Sequence, residues 1–166
     1  MKIQELILET GDTRLVSGAF ETIEEAYAEK ERLISELTDV EETVRKDTPG
    51  ATYLMIRQSG LTKAIRKVYL SEIDVQIPHL FRQAYPTVYI VTAKRDEATE
   101  VEGYYKSIGD AFRSMNRLID SDTAALKDEG LKIEEERIKN GAILKTRYSQ
   151  YSYDIIPLPS QKKKSA

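Results

Sequence analysis

The sequence predicts an α+β fold made twice in tandem. Each unit is a hairpin, one helix and further antiparallel strands, with the helix packed on its sheet. Three observations predict it. Gly18, Ile23, Ala26, Arg32, Leu33 and Ile34 recur 85 residues later as Gly103, Ile108, Ala111, Arg117, Leu118 and Ile119. Six identities in a window of seventeen exceed the roughly one expected from average composition. The intervening changes are mild, with Phe20 answering Tyr105, Thr22 answering Ser107, Glu25 answering Asp110 and Tyr27 answering Phe112. In both copies a pair of short apolar runs around a polar turn leads into a helix-start signal. The expected division is residues 1–70 as the first repeat, 71–87 as an apolar proline-containing linker, 88–157 as the second repeat and 158–166 as a basic flexible tail.

The first element is a hairpin, because Leu6, Ile7 and Leu8 precede the turn pair Gly11-Asp12 and Leu15-Val16 follow it. Thr22 and Glu25 then form a T-x-x-E capping box, in which the hydroxyl accepts from an orphan amide at the helix start. The helix that follows places Ile23, Ala26, Tyr27, Lys30 by its stem, Leu33, Ile34 and Leu37 at the spacing of one face. Beyond it, Pro49-Gly50 supplies a turn within Val40–Arg57, and a strand over Ile65–Leu70 closes the unit after Ser59-Gly60.

The second copy repeats this order. Val88–Val91, a polar KRDEATE turn and Val101–Tyr105 lead to the cap Ser107-x-x-Asp110. Its helix face is Ile108, Ala111, Phe112, Met115, Leu118 and Ile119, and the pattern persists through Leu126 to a stop at Gly130. Asn140-Gly141 is a strong hairpin turn, and a strand over Tyr151–Ile156 follows Ser149-Gln150. The charged runs Glu41–Lys46 and Glu134–Lys139 admit either a strand or a helical extension, since Glu and Lys favour helix while the turns favour hairpins. Pro78 and Pro86 interrupt the linker, whose Ile77, Leu80, Phe81 and Tyr85 suit packing on a core or a partner.

Composition excludes several chemistries. The chain of 166 residues has no cysteine, which rules out disulfides, thiolate catalysis and Cys-ligated metals, and its single histidine rules out a two-histidine metal site. No G-x-x-x-x-G-K-[ST], G-x-G-x-x-G or G-x-S-x-G motif occurs, and His79 lies between Pro78 and Leu80 without a nucleophile motif. The acidic pairs Glu24-Glu25 and Glu41-Glu42 and the run Glu134-Glu135-Glu136 are contiguous, so neighbouring carboxylates diverge as on a solvated face. No catalytic residue, cofactor or metal site is expected. A net charge of −3 weighs against a dedicated duplex-DNA binder. No segment reaches the roughly 18 apolar residues of a membrane span, and the acidic start does not read as a secretory signal, so a cytoplasmic protein is expected.

Tyrosine is the enriched functional type, with ten copies and no tryptophan. Tyr148, Tyr151 and Tyr153 lie close to Arg147 and Lys145. With Phe81 and Tyr85 of the linker and Arg147, they are the candidate partner-binding residues, because tyrosine and arginine anchor interfaces at low entropic cost. The expected function is a small non-enzymatic protein-binding module, a regulator, adaptor or phage-type inhibitor, that docks on a protein partner and is also open to self-association. The alternative is a single-stranded nucleic-acid or nucleotide binder using the Tyr/Arg-bearing strands. The basic tail Lys162–Lys164 is expected to aid solubility or touch an anionic surface.

Overall fold

In the computed structural model, residues 1–11, 13–39 and 42–159 are described. They form two compact units, one of residues 2–74 and one of residue 75 onward together with Met1. Each unit holds a five-stranded antiparallel sheet and a long helix, so the protein is mixed α+β.

In the first unit, β1 (Lys2–Thr10) and β2 (Thr13–Phe20) form the expected hairpin, followed by α1 (Ile23–Thr38), β3 (Thr43–Asp47), β4 (Thr52–Gln58) and β5 (Leu61–Asp74). The strand order is β2-β1-β5-β4-β3. Thr22 caps α1, its hydroxyl accepting from the Glu25 amide at 3.2 Å. The helix covers one sheet face, where Ile34 packs with Leu6, Leu54 and Val68, flanked by Phe20, Leu33, Leu37 and Leu70. Alternation puts these strand residues on one side of the pleat, as period-two burial requires. Of the expected helix face, Ala26 and Ile34 are buried, but Ile23 and Tyr27 are exposed. Both sit within the first five residues of the helix, and Tyr27 instead lies under the Lys30 ammonium, 5.7 Å from its ring centroid.

The second unit begins with α2 (His79–Ala84), followed by β6 (Thr87–Arg95), β7 (Ala98–Tyr105), α3 (Ile108–Asp128), β8 (Glu134–Ile138), β9 (Gly141–Lys145) and β10 (Gln150–Pro159). Its order, β7-β6-β10-β9-β8, is that of the first sheet with each strand replaced by its sequential counterpart. The correspondence extends to register. Leu6 pairs with Leu70 and Gly18, and Val91, 85 residues on, pairs with Ile155 and Gly103, each again 85 residues on. A register shift between Leu6 and Ile7 in β1 recurs between Val91 and Thr92 in β6. The glycine at each shift lies under an aromatic ring two residues later. A Cβ on Gly18 would meet Phe20 at 3.1 Å, and one on Gly103 would meet the Tyr105 hydroxyl at 2.8 Å. Residue Ser107 caps α3 as Thr22 caps α1.

The units part company after the helix. α3 has 21 residues against 16 in α1. In the β8–β9 hairpin the offset to β3–β4 is therefore 90 residues: Ala142 faces Tyr153 as Thr52 faces Val68. The offset returns to 85 in β10 because the β9–β10 connection is cut short. β4 and β5 run out to the turn at Ser59-Gly60, whereas β9 ends at Lys145 and β10 starts at Gln150. Both charged runs left open by the sequence are strands where described, over Thr43–Asp47 and Glu134–Ile138.

Boundaries differ from the expected ones at three places. The first unit extends beyond residue 70, since Ser71–Asp74 complete β5. The expected linker 71–87 is thus divided, its later part forming α2, which belongs with the second unit. Leu158 and Pro159 of the expected tail are the end of β10, and Leu158 is buried. Beyond Asp154, β10 has β6 as its neighbour and no longer pairs with β9. A strand tolerates the missing N–H of Pro157 and Pro159 in such a setting. Lys162–Lys164 lie outside the described residues, as do Asp12 of the first turn and Val40 and Glu41.

Candidate functional site

The turn joining β9 to β10 is built around one hydroxyl. The Thr146 side chain accepts from the Ser149 amide at 3.0 Å and from the Tyr148 amide at 3.3 Å, while the Thr146 amide donates to the Ser149 carbonyl at 2.9 Å. A Thr side chain that replaces a missing backbone partner fixes a tight turn and turns the central side chains outward. Arg147 and Tyr148 are those side chains. Tyr148 is 76% exposed, and the Arg147 guanidinium lies 5.6 Å from its ring centroid. The pair forms a preset aromatic–cationic face.

The second wall comes from the end of α3. Gly130 adopts φ +79, its amide donating to the Lys127 carbonyl and the Leu131 amide to the Leu126 carbonyl. This left-handed stop turns the chain sharply out of the helix, which is why glycine is used here. A groove of about 590 Å³ is lined by Leu131 and Lys132 after this stop, by Glu134 and its β9 partner Lys145, and by Thr146, Arg147 and Tyr148 of the β9–β10 turn. Lys132, Lys145 and Arg147 against the lone carboxylate of Glu134 give the groove a positive balance. The carbonyl end of α3 favours cations at this position. The groove is built from the two segments by which the second unit departs from the first: the longer helix and the shortened hairpin.

The other candidate residues are distributed differently. Tyr151 is half-buried against the core of the second unit. Tyr153 is 0% exposed and cannot serve as a surface anchor in this fold. β10 alternates Tyr151, Tyr153 and Ile155 towards α3, so Tyr153 enters the core with Met115 and Ile119. Its hydroxyl donates to Asp122, which also accepts from Arg95 Nε at 3.0 Å. Arg95 reaches Glu102 at 2.9 Å as well. Phe81 of α2 and Tyr85, which follows it, form a separate cluster with centroids 4.8 Å apart, Phe81 also packing edge-on against Tyr104 at 4.9 Å. Arg82 ties α2 to the Leu158 and Pro159 carbonyls. Those carbonyls end a ten-residue strand whose first residue follows the groove, so the aromatic cluster and the groove lie towards opposite ends of β10. Sequence reasoning missed Lys132 and the role of Glu134, because the chain reversal at Gly130 brings the first to the groove and pairing with Lys145 brings the second.

Two phenols lie in altered surroundings. Burial, and next the hydrogen bond to Glu9, pushes Tyr69 up to about 12. Burial and the hydrogen bond to Asp122 push Tyr153 well above the usual tyrosine range. In the unfolded chain a tyrosine titrates near 10. Above about pH 10 the unfolded state sheds protons that the folded state keeps, so stability is full below about 10 and falls as pH rises. The loss continues towards 12 for Tyr69 and further for Tyr153. Denaturant midpoints measured from about pH 9 upward should fall less steeply for Tyr153→Phe than for the parent chain. An unchanged alkaline slope would show that this phenol is not held protonated by the fold.

Among the described residues, no group of three or more histidine, aspartate or glutamate side chains is gathered as a metal site, and no helix is long and apolar enough to cross a membrane. No family model, curated protein or solved structure matches the chain.

Proposed function

We propose that the chain is a tandem duplication acting as a non-enzymatic binding module, and that it docks on an acidic segment of a partner protein through the groove between Lys132 and Tyr148. The duplication is supported by the shared strand order and by the 85-residue offset that carries over pairing register, register shift and cap. One observation carries the functional reading. Where the two otherwise matched units diverge, the second has a preset, exposed Tyr148 with Arg147 and two lysines around it. Tyrosine and arginine are the residue types that dominate interface energetics, and the surrounding cations select an acidic partner.

Pull-down from native lysate with nuclease treatment, followed by mass spectrometry, identifies the partner. Tyr148→Ala and Arg147→Ala are then expected to weaken the purified complex by on the order of 2 kcal/mol each, with unchanged circular dichroism. Both side chains are exposed, so the fold does not depend on them. Full affinity in both variants would remove the groove from the binding surface.

A second reading is favoured by the Arg147–Tyr148 stack, which is also a platform for an unpaired base flanked by phosphate-binding cations. Under that reading an oligonucleotide binds, and its affinity falls with salt with a log–log slope of about −0.7 per phosphate contacted.

A further inference from the structure

We propose that the outer edge of β3 in the first unit is a second docking site, which takes an extended segment of another protein as an added strand with a large apolar side chain next to acidic ones. This site lies outside the groove and does not depend on the function assigned to it. β3 is the terminal strand of its sheet. The Thr48 amide donates to the Ala51 carbonyl and the Arg57 amide to the Glu42 carbonyl, which sets the phase of the β3–β4 ladder. Antiparallel alternation then leaves the amides and carbonyls of Arg45 and Asp47 on the outer edge. An open edge of this kind is what strand addition uses.

Beside that edge is a cavity of side-chain size. Register puts Val44 next to Met55, Lys46 next to Tyr53 and Met55 next to Ile65, all on the sheet face opposite α1. Lys46, Thr48, Tyr53, Met55 and Ile65 line this cavity, an open depression of about 260 Å³. Small-molecule sites span about 300–1,000 Å³, so this volume suits one inserted side chain. Ile65 is 51% and Val44 40% exposed, an apolar surface left open. A strand added at β3 places alternate side chains over this face, within reach of the cavity.

The charge on the rim names the partner. Arg45 is taken up by Glu31 on α1, at 2.7 and 2.9 Å, and by Asp47. The Lys46 side chain, on the cavity wall, is in no ion pair or hydrogen bond among the described residues, its backbone alone being paired in the ladder to β4. An acidic residue flanking the apolar anchor meets it. In the second unit the positions 90 residues on from Val44 and Met55 carry Glu134 and Lys145, so the apolar cavity belongs to the first unit alone.

The test uses the full chain and a labelled, end-blocked heptapeptide alternating glutamate with phenylalanine and leucine, followed by fluorescence anisotropy. Two control peptides carry lysine in place of glutamate, or N-methyl groups on alternate amides. The acidic peptide is expected to bind and both controls to fail. Ile65→Glu and Lys46→Glu should each weaken it by about tenfold or more. Both side chains are at the surface, and circular dichroism checks that each variant folds. The proposal is overturned by no binding of the acidic peptide, by equal binding of the N-methylated peptide, or by indifference to Ile65→Glu. It is equally overturned if sedimentation shows self-association that the same substitutions abolish, which assigns the edge to a second copy, or if an oligonucleotide displaces the peptide.

Discussion

Met115→Ala is expected to lower the unfolding free energy by about 2–5 kcal/mol, the largest effect of any single truncation on α3. Met115 is fully buried between Ala111 and Ile119 and packs with Val91, Ala93, Leu144 and Ile155 from three strands. Its removal forfeits burial and leaves a cavity that several rigid strands cannot collapse to fill. Chemical denaturation measures the loss directly. Leu118, on the flank of the same cluster, is only partly buried, so Leu118→Ala should cost less. The reverse ranking would mean that α3 is rotated about its axis relative to this structure.

Asp122→Ala is expected to cost about 2–3 kcal/mol, because the buried Tyr153 hydroxyl loses its acceptor and Arg95 loses one of its carboxylates. A fully buried ion pair broken on one side costs more, about 3–5 kcal/mol. Here Arg95 is 30% exposed and keeps Glu102, which reduces the penalty. Asp122→Asn retains an acceptor and should be milder. Combined with Tyr153→Phe, Asp122→Ala should be clearly less than additive, with a coupling of about 0.5–3 kcal/mol in a double-mutant cycle. Full additivity would show that the two groups are not coupled. By the 85-residue offset the same places in the first unit hold Leu37 and Val68, both apolar and both part of one core. One scaffold position is therefore satisfied in two chemically different ways.

The fold was legible wherever the signal is local. Thr22 and Ser107 mark helix starts because a hydroxyl there reaches an amide three residues on, a relation contained within one turn of chain. Gly130 marks a helix end for the same reason. The charged runs Glu41–Lys46 and Glu134–Lys139 are not decidable from the sequence, since Glu, Lys and Arg suit either a helix or an exposed edge strand. What makes them strands is pairing to β4 and β9, whose apolar sequences are recruited into the sheet. Ile23 and Tyr27 match the helical period yet remain exposed, because periodicity gives the direction of a face and not how far a sheet extends beneath it.

The candidate site divides along the same line. Arg147 and Tyr148 could be named from the sequence as an adjacent cation and aromatic expected on strands, but their place in the turn between β9 and β10 and the partners across the groove could not. Tyr151 and Tyr153 looked equivalent to Tyr148. β10 pairing carries Tyr153 into the core and leaves Tyr151 at its margin.

By itself, the sequence determined the α+β class, the set of residues that recur at an 85-residue offset, the caps and most turns, because each depends on residues close in the chain or on a recurrence visible by comparison. Tertiary structure alone decided that five extra helical residues are offset by a shortened hairpin and that α2 joins the second unit. It likewise decided that Asp122, Arg95 and Tyr153 meet, and that Lys132 and Arg147 line one groove. The physical reason is that these relations link residues far apart in the chain. Which of them form is set by the burial and hydrogen bonding gained in the assembled sheets, a balance that no local propensity encodes.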